Sequence, residues 1–271
     1  MFARILSTVL LIAAAAVIAP SQSNVSAPPA LSKAEIDRIV AKVSDYELRF
    51  REALTDYAFN RKAAISTVGI GGQITGTYRR DSFLTFNSAG ERFERVEYAP
   101  ISTLKDLVIT PADLENLGGI DPFAIEPSKL SNYSFSLIGQ EKIDELELYV
   151  FDVTPRILPD PKKGIRYFSG RIWVDKDDLM IVKSKGKALP EGKNERFPII
   201  ETWRENIDGK FWFPSYSSSD DELVFDKGQV VKIRIRVKYS DYRVGRTDVR
   251  ILEDDEPVKP EPKPSPSPTK P

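Results

Sequence analysis

Ser184 and Lys187 stand three residues apart, the spacing of a Ser–Lys nucleophile pair. Such a pair works from one turn of a helix. The pattern around it is that of a strand, where an odd separation sends the two side chains to opposite faces. Asp175, Asp177 and Asp178 begin like a calcium-binding loop. The sixth and twelfth positions, however, hold Met180 and Gly186 instead of Gly and Glu, so the segment reads as a solvated hairpin turn. Residues 217–222 (SSSDDE) gather hydroxyls and carboxylates with no base beside them, and read as a polar loop. Glu201 with Glu205, or Glu145 with Glu147, could share a strand face as a glycosidase-like pair, but that spacing recurs throughout β-proteins. The chain has no histidine and no cysteine. The commonest general base, the usual zinc ligands and the thiol nucleophile are therefore all missing. The expectation is a protein that is not an enzyme, with no catalytic residue, cofactor or metal.

Export is the second expectation. Arg4 precedes an unbroken apolar and small-residue run over residues 5–18, and Ala19-Pro20-Ser21 offers a cleavage site, so residues 1–21 read as a signal peptide. Fourteen residues fall short of the roughly 20 that a helix needs to span hydrocarbon. Without cysteine there is neither a lipid-modified N-terminal Cys nor a disulfide, although an extracytoplasmic compartment would permit one. The expected location is periplasmic or secreted. Thirty-nine basic and 40 acidic residues give a net charge of −1, which provides no field for nucleic acid. Residues 253–271 turn acidic and then proline-rich, which predicts an extended tail that cannot join a sheet.

The elements between leader and tail read as mainly β with helices (α+β). Residues 31–54 carry Ile36, Ile39, Val40, Val43, Tyr46, Phe50 and Leu54 at steps of three and four, an apolar helical stripe. Ser32 with Glu35 forms its capping box, and Asp45–Arg49 and Glu47–Arg51 are expected as ion pairs on the wetter side. A short helix is expected at 111–117, capped by Thr110. Alternating patterns predict about ten strands, among them 57–68, 73–86, 92–98, 145–154, 166–175, 179–187 and 231–239. Asp208-Gly209 signals a two-residue hairpin. The predicted architecture is an antiparallel meander curled into a half-open β-barrel over residues 31–250 and covered by the N-terminal helix. Leu146, Leu148 and Val150 oppose Tyr149, Phe151 and Val153 on one strand, so that strand must be covered on both sides. The cluster Trp203, Phe211, Trp212 and Phe213 is expected mostly in the core, with one or two rings at a cavity mouth. Lys232, Arg234, Arg236 and Lys238 form a basic strand face, read as a solvated outer face or as one that meets an anionic surface.

The block 149–154, 166–175 (RYFSGRIWVD) and 181–183 resembles the central strands of the outer-membrane lipoprotein-sorting proteins, the LolA-like group. Residues 98–105, 120–123 and 211–214 resemble an uncharacterised secreted bacterial branch often assigned to that superfamily. The resemblance implies a cavity for acyl chains. The residues expected to line it are Ile36, Val40, Val43 and Phe50 of the helix, with Phe151, Ile172, Val174, Trp203, Phe213, Ile233 and Ile235 of the sheet. The implied function is a carrier or binding protein for lipid, lipoprotein acyl chains or another amphiphile. The alternative is a non-catalytic envelope module with a protein partner and a docking or spacer tail. No oligomeric state is read from the chain.

Overall fold

The computed structural model describes residues 25–110, 113, 125–193 and 195–245. The leader and the proline-rich tail, as well as the body of the short helix expected at 111–117, lie outside the described residues. The hydrogen bonds of that helix's cap are present: Thr110 N donates to Asp113 Oδ2 at 2.8 Å, and Asp113 N donates to Thr110 Oγ1 at 3.2 Å.

Helix α1 (Lys33–Leu54) begins where the capping box places it, with Ser32 and Glu35 each satisfying the other's backbone N–H. Among the described residues ten strands follow: β1 (Tyr57–Val68), β2 (Ile74–Phe86), β3 (Arg92–Tyr98), β4 (Tyr133–Ile143), β5 (Leu146–Pro155), β6 (Tyr167–Asp175), β7 (Ile181–Leu189), β8 (Ile200–Ile207), β9 (Phe211–Val224) and β10 (Val230–Val244). They form one sheet in the order β3-β2-β1-β10-β9-β8-β7-β6-β5-β4. The β1–β10 ladder joins the two ends of the chain's strand run. The open edges are β3 and β4; of the connection between them, Leu107 and Ile109 pack against one inner cluster and Ile125 and Leu130 against the other. The sheet is therefore a half-open barrel, mainly β, with α1 laid on one face.

Turn chemistry sets the register. Asp208 and Gly209 both have positive φ, 54° and 67°, which is what a two-residue hairpin requires. Gly228, at φ 80°, closes the β9–β10 hairpin.

One expected loop is a strand. Residues 217–222 lie within β9, because cross-strand partners absorb their polarity. Asp220 accepts from Arg234 Nε at 2.7 Å and also pairs with Arg236, while Glu222 meets Lys232 at 2.7 Å. Ser217 and Ser219 turn inward and are buried.

Gly170 and Gly186 face each other across β6 and β7. A Cβ on Gly170 would stand 2.2 Å from the Lys185 carbonyl oxygen and 2.4 Å from the Gly186 Cα, both backbone atoms that cannot swing aside. Gly170→Ala is accordingly expected to destabilise the protein by about 1–3 kcal/mol, the range for overpacking. A shift in the denaturant midpoint at unchanged slope would measure it. No shift would mean that the two strands lie further apart than described.

Candidate functional site: the helix-covered inner wall

The inner face of the sheet carries two apolar clusters, and α1 spans both. Ile39, Val40 and Val43 pack with Phe151, Val153, Phe168, Ile172, Val174 and Ile181 at the β4–β7 half. Phe50 and Leu54 pack with Tyr57, Phe59, Phe213, Ile233, Ile235 and Val237 at the β9–β2 half. Each fully buried large side chain contributes about 1.5–3 kcal/mol relative to exposure. The helix stays on the wall for that reason.

Between the clusters the wall is made of small polar residues. Val237, Ser217, Thr202, Ser184 and Ile172 are register partners in turn across β10, β9, β8, β7 and β6. Thr202 Oγ1 and Ser217 Oγ share a hydrogen bond of 2.9 Å. Short side chains here let the helix approach closely. Above them lies a buried ion pair. Arg204 Nη1 and Nη2 donate to Glu47 Oε1 and Oε2 at 2.6 and 3.0 Å, and the guanidinium sits 4.6 Å from the Phe50 ring centre. Their side chains are 5% and 3% exposed. Glu47 therefore does not join Arg51 on the wet side, as its spacing suggests. Arg51 pairs with Glu126, whereas Asp45–Arg49 forms as expected at 2.8 Å. Ser44 Oγ donates to the Ile125 carbonyl at 3.1 Å and ties the segment leading into β4 to the helix.

A second charged group sits inside the β1–β3 end. Arg61 occupies an inward position of β1 between Phe59 and Ala63, opposite Tyr239 and Ser82. Glu94 Oε1 accepts from Arg61 Nη2 at 3.0 Å, Arg80 Nε at 2.8 Å and Ser82 Oγ at 2.5 Å. Burial alone would push the Glu94 carboxyl up. The hydrogen bonds from Arg80 and Ser82 and the positive charges of Arg61 and Arg80 outweigh it and hold the group at about 2, from an ordinary 4.5. Arg61 Nε is buried and meets no acceptor. The sequence reading passed over this cluster. Its signal was a cation standing in the apolar phase of an alternating strand.

Ten of the eleven residues expected on a cavity wall lie on the inner face. Val40, Val43, Phe50, Phe151, Ile172, Val174, Phe213, Ile233 and Ile235 belong to the two clusters, and Ile36 packs against their edge. Trp203 does not. It lies on the outer face, where Lys183 Nζ stands 4.6 Å from the Trp173 ring centre and 4.2 Å from that of Trp203. The physical reason is register. Trp203 pairs with Lys183, which pairs with Trp173, and Trp173 belongs to the outer phase of β6. Leu148, Val150, Trp173 and Val182 form a third apolar cluster there, so β5 is covered on both faces as its pattern requires.

The remaining polar motifs resolve into structure. Asp175, Asp177 and Asp178 belong to the β6–β7 connection. Asp178 accepts from Met180 N at 2.8 Å and from Trp212 Nε1 at 2.8 Å. Burial and the neighbouring Asp178 charge push the Asp175 carboxyl up. Among the described residues no group of three or more acidic side chains is arranged to hold a metal ion. Ser184 is buried inside, while Lys187 pairs with Glu191 at 3.0 Å. Lys232, Arg234 and Arg236 are each ion-paired to β9, so most of the basic strand face is neutralised. Where β9 and β10 part beyond Tyr216 and Lys238, a cleft of about 530 Å³ opens, lined in part by Glu205, Tyr216, Lys238 and Asp241. The hydroxyl of Tyr242, also at the cleft, donates to the Pro214 carbonyl at 2.7 Å. No described helix is long and apolar enough to cross a membrane.

No family model matches the chain, and no curated protein does. Solved structures do match over most of its length, at low identity. A DUF1329 family protein from Desulfovibrio piger is 17% identical with a TM-score of 0.38, over 78% of this chain and 93% of its own. A LolA superfamily protein from Nitrosomonas europaea is 15% identical at TM-score 0.36, over 79% and 94%. An outer-membrane lipoprotein-sorting protein domain from Vibrio parahaemolyticus is 12% identical at 0.34, over 78% and 95%.

Proposed function

We propose that the protein is an exported carrier or binding protein that holds lipid, lipoprotein acyl chains or another amphiphile against the inner wall of its half-open sheet. The observation that carries this reading is the wall itself. It is apolar at both ends, belongs to a sheet that does not close on itself, and is covered by α1 together with Leu107, Ile109, Ile125 and Leu130 instead of a second sheet. A closed barrel or a sandwich would lock such a surface into a permanent core. A helix held by one face can be displaced as a unit, leaving apolar area that only another greasy surface would cover.

The energetics suit the task without catalytic groups. Each buried CH₂ of an acyl chain contributes about 0.8 kcal/mol, so a sixteen-carbon chain offers roughly 12 kcal/mol before the costs of ordering and of moving the helix. The block at 149–154 and 166–175, which resembles the lipoprotein-sorting proteins, forms β5 and β6 and supplies Phe151, Ile172 and Val174 to this wall. Periplasmic placement rests on the leader sequence and belongs to the same proposal.

Two measurements test it. Protein purified from the envelope and extracted with organic solvent is expected to release a bound amphiphile detectable by mass spectrometry. A fluorescent fatty acid is expected to bind the extracted protein with a stoichiometry near one. An empty extract together with no fluorescence gain would end the carrier reading.

A further inference from the structure

We propose that Arg61 and Arg80 form a seat for an anionic head group, a carboxylate or a phosphate, at the β1–β3 end of the inner wall. This inference rests on the carrier reading and names the chemistry of its ligand.

Two guanidiniums share one carboxylate, so Arg61, Arg80 and Glu94 together carry one unit of positive charge, held inside the sheet with Arg61 2% exposed. A buried cation without a full counter-charge costs several kcal/mol. Asp81, next in sequence to Arg80, does not neutralise the surplus: it is paired in register with outward Lys62, and its nearest cation is Arg79, at 3.6 Å.

Geometry adds to the count. All three donors converge on a single oxygen, Glu94 Oε1, and Arg61 Nε has no acceptor at all. A guanidinium offers five N–H groups in a fixed fork that matches the two oxygens of a carboxylate or phosphate. Arg61 Nε thus keeps an unused N–H at a position closed to solvent. Arg80 is 21% exposed and Glu94 18%, so the open side of the cluster is theirs. Phe59, Ala63 and Leu84 flank the charges with apolar wall. A head group bound here would leave its chain lying along that wall. An amphiphile needs this combination: donors at one point and an apolar track leading away.

Glu94 then acts as the resident counter-ion that an incoming anion competes with. That role predicts opposite signs for two substitutions. The test uses the full mature chain and three probes: a fluorescent fatty acid, its methyl ester, and lysophosphatidic acid as competitor. On the unmodified protein the acid is expected to bind about tenfold more tightly than the ester, the worth of one charge-assisted hydrogen-bonded pair. Arg80→Gln should bring that ratio close to one and leave ester affinity unchanged. Glu94→Gln should raise the ratio, because the competing carboxylate is gone. A purely structural cluster would move both variants in the same direction, or move acid and ester together. Competition by lysophosphatidic acid that Arg80→Gln abolishes would favour phosphate as the natural head, and no competition would favour carboxylate. Equal binding of acid and ester to the unmodified protein would overturn the seat and leave the carrier reading standing. Failure of both probes to bind would remove the two together.

Discussion

Arg204→Met is expected to lower the stability of the protein by about 3–5 kcal/mol, the cost of stranding one member of a buried ion pair. Glu47 would keep its charge at a site only 3% exposed, with its two donors removed. It must then draw water under α1, which loosens the helix over the centre of the wall. The double variant Glu47→Leu/Arg204→Met should recover most of the loss, because an apolar pair of similar volume needs no counter-charge. Denaturant unfolding of the single and double variants forms a complete cycle. A single-variant cost below 1 kcal/mol would be the behaviour of a solvent-exposed pair. It would mean that α1 does not seat Glu47 against β8 in solution.

Acid is expected to remove about 3 kcal/mol of stability through Glu94 alone. Its folded-state value of about 2 lies below the ordinary 4.5, so the folded protein holds this carboxylate ionised where the unfolded chain would protonate it. The contribution is fully present above pH 4.5, declines as the pH falls from 4.5 toward 2, and is gone below the folded value. Glu94→Gln should lose that stability at neutral pH and show a correspondingly flatter decline between pH 4.5 and 2. Unfolding free energies measured across that interval for both proteins would check it. Parallel curves would show that Arg61 and Arg80 do not hold Glu94 as described.

Most of the architecture was legible in the sequence because it rests on local signals. The Ser32–Glu35 box marks the start of α1, and the stripe from Ile36 to Leu54 marks its buried side. Period-two alternation located β1 and β3 to the residue, and the double positive φ at Asp208 and Gly209 is what that dipeptide favours. Polar composition misled where a strand's partners are distant in sequence. Residues 217–222 look like a loop until β10 supplies Lys232, Arg234 and Arg236 opposite them.

What the chain determined unaided is therefore helix α1, most of the strands, the apolar face of each, and the absence of histidine and cysteine. Such properties depend on neighbours within a few positions. Tertiary structure decided which charges are buried and which rings face out. Glu47 meets Arg204 across 157 positions, Arg61 meets Glu94 across 33, and Trp203 turns outward through its register with Lys183. A side chain's local pattern gives its phase along a helix or strand. Only the folded sheet brings it the partner that makes a charge tolerable inside.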